Sequence, residues 1–167
     1  MHSDTNTSFD TRAFRNAAGC FPTGVAVVTT LMPGKAPIGV TVNSFTSVSL
    51  DPPLVLWCLD RKSDRFETFT KSAVYAICLL DVAHEAVSSR LAKQGAHSLE
   101  GIDLVPTELG PPALADALAV FECEKEAIHE AGDHVILVGR VVRFGRSESG
   151  EPLVFHKGRY NALANSY

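Results

Sequence analysis

The stretch that decides the fold is G-V-T-V-N-S-F-T-S-V-S-L-D-P-P-L-V-L, residues 39–56. Its β-branched residues alternate with polar ones, and this two-residue period predicts a strand from Gly39 to Leu50. The Asp-Pro-Pro run at 51–53 must end the strand, because proline donates no hydrogen bond to a sheet and pushes its neighbour out of helical geometry. We therefore expect one strand, a tight turn and the start of a second strand at Leu54.

The polar content of this strand is unusual. Six hydroxyl or amide side chains, none of them charged, occupy the nine positions from 41 to 49: Thr41, Asn43, Ser44, Thr46, Ser47 and Ser49. A strand buried on both faces is normally apolar, and an exposed strand normally carries charge. A neutral strand rich in hydrogen-bonding groups suits a neutral, polar, planar ligand lying along it. The residues alone leave one alternative open, an edge strand whose polar side chains face water.

Composition limits the classes of protein to consider. The chain has 167 residues and a formal net charge of −4, which favours one domain with a real core and argues against nucleic-acid or membrane-surface partners. No apolar run reaches the ~18 residues of a membrane span, and the polar N-terminus does not resemble a signal peptide. We expect a cytoplasmic protein. The one basic cluster, Arg61, Lys62 and Arg65, is interrupted by acidic residues and predicts a solvated helix start.

Several kinds of chemistry find no support in the sequence. The four cysteines form no C-x-x-C pair, and we expect small buried thiols in a reducing compartment. The histidines match no ligand spacing, so we expect no metal. The chain has no G-x-S-x-G, which leaves hydrolysis unsupported, and no G-x-G-x-x-G, so the usual dinucleotide cradle is missing.

The order of the predicted elements indicates a mainly β protein. Residues 1–9 predict a disordered tail, and 10–167 a single domain. We expect a helix from Asp10 or Thr11 to Ala18, one capped by Ser63 and one capped by Asp81, with an irregular excursion over 93–114. Further strands are predicted at 25–30, 54–59, 74–80, 120–127, 134–144 and 153–156. Six or seven strands without βαβ alternation favour an antiparallel barrel over a Rossmann fold.

The stretch at 39–56 resembles the flavin-binding signature of the short-chain flavin reductases, the reductase components of two-component flavin monooxygenases. Four more segments resemble the family in the same order: F-P-T-G-V-A-V-V-T-T at 21–30, S-S-R-L-A at 88–92, G-D-H-V-I-L-V-G at 132–139 and P-L-V-F-H-K-G-R-Y at 152–160. The resemblance spans about residues 12 to 163. It implies an FMN-binding split β-barrel of Greek-key type, and a homodimer with flavin near the subunit interface.

The resemblance also implies which residues bind the flavin. For the isoalloxazine ring it points to Thr41, Val42, Asn43, Ser44, Ser47, Val48 and Ser49. For the phosphate it points to Ser89 and to Arg90, whose planar fork matches a phosphate group. Asp60 and Ser63 would add contacts to the ribityl-phosphate. An exposed helical arginine with no ligand is the alternative for Arg90.

Two further segments are implied to meet the nicotinamide. His134 in G-D-H would lie beside the nicotinamide and flavin N5, where a histidine can orient the carboxamide or move a proton near pH 7. The alternative is a histidine held by Asp133 for structure. The H-K-G-R-Y segment would bind the dinucleotide through His156, Lys157, Gly158, Arg159 and Tyr160. Its alternative is a turn with solvated charges.

The function implied by the resemblance is that of an NAD(P)H:flavin oxidoreductase. NADH or NADPH would reduce FMN or FAD by hydride transfer, and the reduced flavin would leave for a separate monooxygenase. The alternative from another class is a non-catalytic flavin- or haem-binding split barrel that stores, carries or senses its ligand, because fold does not fix function. G-D-H and H-K-G-R-Y favour the reductase, since a pure binder needs no nicotinamide site.

Overall fold

The computed structural model describes residues 9–163. The expected tail therefore lies outside the described residues, apart from Phe9. Among the described residues, no helix is both long and apolar enough to cross a membrane.

Strands dominate the described chain. The seven strands of the main sheet are β2 Ala26–Thr30, β3 Ile38–Val42, β4 Thr46–Leu50, β5 Pro53–Asp60, β6 Val74–Leu79, β9 Ala119–Ala131 and β10 His134–Arg146. They pair in the order β3-β2-β6-β9-β10-β5-β4, and every pairing is antiparallel. The mainly β, antiparallel class predicted from the sequence is confirmed. The β9–β10 hairpin is longer than predicted at both strands.

The sheet must curl into a barrel, because β3 and β4 are its two outer strands and lie close together in sequence. The chain from Val42 to Thr46 can span at most about 14 Å, whereas seven flat strands would separate the edges by about 29 Å. Ser44 ties this link to β5, since its Oγ accepts a hydrogen bond from Cys58 N at 2.9 Å. The outer strands do not pair with each other, so the barrel stays open between them.

The single strand predicted over 39–50 is wrong. The chain leaves the sheet after Val42 and returns at Thr46 on the opposite edge. The polar alternation continues through the break, so periodicity alone gives no sign of it. The turn expected at 51–53 is present but shorter, because β5 begins at Pro53, which pairs with Leu50, rather than at Leu54.

Two small sheets and three helices complete the fold over the described residues. The first sheet has the order β1-β11-β12, with β1 Thr23–Gly24, β11 Val154–His156 and β12 Arg159–Asn161. The second pairs β7 Leu104–Val105 with β8 Ala113–Leu114, inside the excursion expected to be irregular. The helices are α1 Thr11–Ala18, α2 Phe66–Lys71 and α3 Glu85–Leu91, with a 3-10 turn at Val82–His84 before α3. Strands β1 and β12 were not predicted.

Two of the three helix caps predicted from the sequence are confirmed. Asp10 caps α1 by accepting from the backbone of Arg12 and Ala13, and Asp81 caps the 3-10 turn that leads into α3. The predicted Ser63 cap of α2 is wrong, because Arg65 is the N-cap residue and makes no side-chain cap bond. Ser63 instead accepts a hydrogen bond from Arg65 N at 3.2 Å, one turn earlier.

The core has two parts. Inside the barrel, the ring of Trp57 packs edge-on against Phe69 at 5.2 Å and Tyr75 at 5.7 Å between centroids. The second part lies under α3 and the small sheets, and includes Leu80, Leu91, Leu114 and Leu153. Both anchor the strands whose ends form the cavities described below.

The cysteines are free thiols in different environments. Cys78 and Cys123 are buried, as expected, and burial raises the pKa of both thiols to about 12. Cys58 is half-buried and Cys20 is exposed, so the expectation of burial is wrong for Cys20, which follows the end of α1 rather than an apolar run.

Candidate functional site

A cavity of about 500 Å³ opens where β3 leaves the barrel. Its walls come from the end of β3 and the following link (40–44), the end of β5 (58–60), the segment before α2 (62–65), Ala92, Gln94 and His134. Its walls combine uncharged polar side chains, such as Thr41, Asn43 and Ser44, with apolar ones and with four charged ones: Asp60, Lys62, Asp64 and Arg65. We call this space the main cavity.

The fold brings together predicted site residues from three distant segments. Those that line the main cavity are Thr41, Val42, Asn43, Ser44, Asp60, Ser63 and His134. Sheet pairing explains the convergence, because His134 opens β10 directly opposite Asp60 at the end of β5.

The hydroxyl groups at the end of β3 are held by the protein and still have capacity for a ligand. Thr41 Oγ1 donates to the backbone oxygen of Ser88 at 2.8 Å, which leaves its lone pairs free to accept. Ser44 Oγ accepts from Cys58 N, so its own O–H remains free to donate. Asn43 is exposed, and its side-chain amide can both donate and accept a hydrogen bond. These three residues can hydrogen-bond a planar polar ligand.

Three predicted flavin residues lie elsewhere. Ser47, Val48 and Ser49 belong to β4, on the opposite edge of the sheet, and do not line the main cavity. The prediction placed them with Thr41 because it assumed one continuous strand. The break at 43–45 separates the two groups.

His134 has one nitrogen committed and one available. Its Nδ1 lies 2.8 Å from Asp133 Oδ1. This hydrogen bond, together with the charge of His134, lowers the pKa of the Asp133 carboxyl. With Nδ1 bound to Asp133, Nε2 is the nitrogen that a ligand in the cavity can reach. His134 therefore makes the hydrogen bond expected of a structural histidine and also lies at the cavity wall, as expected of a histidine that contacts a ligand.

The structure does not bring the predicted phosphate residues to the main cavity. Arg90 donates from Nη1 to Glu100 O at 3.1 Å and from Nη2 to Ser98 O at 2.9 Å, so its fork binds backbone carbonyls of the following loop. Neither Arg90 nor Ser89 lines the cavity. A role in phosphate binding for these two residues stays a prediction.

The cations that do line the main cavity are Lys62 and Arg65. Arg65 is only 4% exposed, which corrects its expected place at a solvated helix start. It donates to Lys93 O at 2.6 Å and lies 3.2 Å from Asp64 Oδ1, while its Nε has no hydrogen-bond partner among the described residues. Burial lowers the pKa of Arg65 more than the Asp64 charge raises it. No local signal in the interrupted charge run distinguishes Arg65 from its exposed neighbours.

Asp64 and Arg65 hold the loop that closes one side of the cavity. Asp64 Oδ2 accepts from Gly95 N at 2.7 Å and lies 3.4 Å from His97 Nδ1. Burial raises the pKa of Asp64, but the Gly95 N–H and the charges of Arg65 and His97 outweigh it, so the pKa lies below its usual value. The loop from 93 to 97, which includes the cavity residue Gln94, is therefore attached to the segment before α2.

A second cavity, of about 680 Å³, lies beside the H-K-G-R-Y segment. Lys157 and Gly158 line it from one side, and it also contacts α1, Phe21, Thr23, Asn43 and Phe155. We call it the α1 cavity. A smaller space of about 170 Å³ lies between them, since it shares Thr41 and Asn43 with the main cavity and Asn43 and Phe155 with the α1 cavity. Asn43 lines all three spaces, so they adjoin at this residue, and we call the three spaces together the groove.

The other predicted dinucleotide residues have mixed positions. Tyr160 lines the small connecting space and shares a 2.8 Å hydrogen bond with Ser88 Oγ. His156 and Arg159 pair with each other across the β11–β12 turn and line neither larger cavity. Their part in binding stays a prediction.

The family model described as a flavin reductase like domain matches residues 18–164. The chain belongs to this flavin reductase family. A relative named FMN reductase (NADH) SmoA, from Agrobacterium fabrum, is 44% identical over 93% of this chain and 87% of that protein. A flavin-dependent monooxygenase reductase subunit, HsaB from Rhodococcus jostii, is 33% identical over 93% of this chain and 80% of its own.

A solved structure of the flavin reductase family matches the fold closely. It is the NADH:FAD oxidoreductase SgcE6 from Streptomyces globisporus, in complex with NAD and FAD fragments. The match has a TM-score of 0.87 and 36% identity, and covers 93% of this chain and 94% of that one. The split-barrel fold expected from the sequence is thereby confirmed.

Proposed function

We propose that this protein is an NAD(P)H:flavin oxidoreductase that transfers a hydride to FMN or FAD as a substrate and releases reduced flavin. The observation that carries the proposal is the groove. A cavity with uncharged hydrogen-bonding groups at the end of β3 and His134 at its wall adjoins, at Asn43, a cavity lined by Lys157. A flavin and a dinucleotide would therefore meet in one site. The names of the relatives support the same pair of ligands.

The residues of the main cavity fit a flavin. Asn43 and Ser44 have free hydrogen-bonding groups for a polar ring, and Lys62 supplies a positive charge for a phosphate. Arg65 Nε, buried and without a partner among the described residues, is a further donor. When bound, the flavin supplies the redox chemistry, while the protein positions and binds it. His134 Nε2 would orient the nicotinamide carboxamide or hold a proton near the reacting atoms.

The first experiment is a steady-state assay of desalted protein with NADH or NADPH and each of FMN, FAD and riboflavin. We expect dinucleotide oxidation only when a flavin is added. Turnover that is absent with every flavin and both dinucleotides would contradict the proposal. In that case the alternative, a flavin- or haem-binding carrier, would account for the cavity.

We propose further that the flavin is released after each turnover. Each neutral hydrogen bond gives a net ~0.5–1.5 kcal/mol, and one of the two cations of the main cavity, Arg65, is already paired with Asp64. Micromolar affinity, about −8 kcal/mol, fits this wall better than nanomolar affinity. Desalting followed by titration measures it. Stoichiometric flavin that survives desalting and reduces no free flavin would show a retained cofactor instead.

The exposed edge of the barrel supports a homodimer. Leu50, on the outer strand β4, is 94% exposed, and Val48 on the same strand is also exposed. An outer strand with exposed apolar side chains favours pairing with another chain. Light scattering should give twice the chain mass, and Leu50→Asp should shift it toward the monomer. Val105→Asp, an exposed site on β7, is the control. A monomeric wild type would contradict the dimer.

We place the reaction in the cytoplasm, where thiols stay reduced. The free state of all four cysteines supports this location. We propose that the acceptor of the reduced flavin is a separate flavin-dependent monooxygenase; the Rhodococcus relative is named as the reductase subunit of such an enzyme.

A further inference from the structure

Helix α1 is anchored to the H-K-G-R-Y turn and buries no residue of its own. Gly19 ends the helix, and its carbonyl accepts a hydrogen bond from Lys157 N at 2.9 Å. Lys157 and Gly158 both have positive φ, 49° and 77°, which is the geometry of a tight two-residue hairpin turn. This hydrogen bond places α1 against the turn, so that the helix forms one wall of the α1 cavity although it contributes no buried residue to the core.

Two cations line this cavity from its two sides. Arg15 comes from α1 and Lys157 from the turn. Within residues 9–163, no acidic residue lines the cavity, and neither cation is within 4.0 Å of a carboxylate oxygen. Other exposed cations, such as Lys71 and Arg140, are paired. Two unpaired cations on one cavity favour an anion with more than one charge.

Two aromatic rings also line the α1 cavity. Phe21 is 74% exposed and lines the cavity together with Phe155. An exposed phenylalanine beside two cations suits a ligand that joins a phosphate group to a planar ring. Since the groove continues past Asn43 to His134, one end of such a ligand would reach the main cavity.

From these features we infer that α1 is part of the dinucleotide site, with Arg15 and Lys157 binding the pyrophosphate of NADH or NADPH and Phe21 packing against one of its rings. The inference rests on the proposed function and extends it. It assigns roles to Arg15 and Phe21, which lie outside the H-K-G-R-Y segment.

The test compares Arg15→Ala with Arg12→Ala, an exposed arginine one turn away on α1 that does not line the cavity. Hydride donors are NADH, NADPH and N-benzyl-1,4-dihydronicotinamide, which has no phosphate. For Arg15→Ala we expect the KM of both dinucleotides to rise roughly 5- to 15-fold, between the effects of an exposed ion pair and a charge-assisted hydrogen bond. The kcat, the flavin affinity and the KM for the benzyl compound should stay as in the wild type.

Binding of ADP-ribose, measured by calorimetry without turnover, separates this inference from the proposed function. If Arg15→Ala loses roughly as much affinity for ADP-ribose as for the dinucleotides, the site is supported. If no donor reduces flavin, only the proposed reductase activity is contradicted, and the ADP-ribose result still tests the site. Three results would overturn the inference: equal behaviour of the two arginine variants, an effect on NADPH alone, or an equal effect on the benzyl compound. The second would assign Arg15 to the 2′-phosphate rather than to the pyrophosphate.

Discussion

Replacing Asp64 by Asn tests how the main cavity is kept in shape. The Asp64 carboxylate is 26% exposed and faces three groups: the backbone N–H of Gly95, the guanidinium of Arg65 and the ring of His97. Asn keeps an acceptor of the same size but removes the negative charge. The change therefore weakens the attachment of the 93–97 loop without altering its packing volume.

The expected cost follows from these contacts. The charge-assisted bond to Gly95, worth about 1.5–3 kcal/mol, becomes a neutral bond worth about 0.5–1.5, a loss of ~1 kcal/mol. Removing one partner of a fully buried pair costs about 3–5 kcal/mol. Arg65 keeps its bond to Lys93 O and Asp64 is partly solvated, so we expect the loss of the Asp64–Arg65 pair to cost only about 1–2 kcal/mol. We expect a total loss of ~2–3 kcal/mol in the free energy of unfolding, or about 5–10 °C in Tm.

Urea unfolding gives the free energy, and flavin titration reports the cavity. FMN and riboflavin should both bind several-fold more weakly to Asp64→Asn, because the loop that carries Gln94 opens more often. The matched control is Glu67→Gln, since solvent screens the exposed Glu67–Lys71 pair and its loss should change the stability very little. Equal stability of the two variants, or unchanged flavin affinity in a destabilised Asp64→Asn, would refute the reasoning.

Three more predictions concern the groove and its surroundings. His134→Ala should slow flavin reduction about 10- to 100-fold in stopped-flow single turnovers and leave flavin affinity unchanged; normal reduction in a less stable protein would show a purely structural histidine. Arg90→Ala should weaken FMN, FAD and riboflavin equally, because its fork binds loop carbonyls; a loss confined to FMN and FAD would restore the phosphate role. Because the folded-state pKa of Asp64 is lowered, its stabilisation is complete above the unfolded pKa of about 3.9 and is lost as pH falls through the folded pKa. The stability difference between wild type and Asp64→Asn should therefore shrink below about pH 4; a difference that grows there would contradict the direction of the shift.

Local pattern predicted the elements whose causes are local. The α1 helix begins after Asp10 and ends at Gly19 because the cap residues are within a few positions of each other. The apolar run at 74–80 gave β6 almost to the residue. In these cases the physical cause of the structure can be read from neighbouring residues.

The misses that concern the site share one cause, which is that they depend on distant parts of the chain. The break at 43–45 is required by closure of the barrel, and nothing in the local alternation marks it. Arg65 is buried because the loop after α3 covers it and offers the carbonyl of Lys93, almost thirty residues away. The α1 cavity depends on the hydrogen bond between Gly19 and Lys157, which joins the two ends of the described chain. The prediction of the main cavity succeeded mainly for the segment 41–44, because this one short segment supplies most of the predicted residues that line it.

Anaerobic single-turnover mixing of the desalted protein, FMN and NADH tests the central claim most directly. If flavin and dinucleotide meet in the groove, flavin absorbance will be lost far faster than in buffer without protein. The reduced flavin should then pass a filter that retains the protein. Flavin that binds to the protein and is reduced no faster than in buffer would contradict the claim and identify the groove as a binding site only.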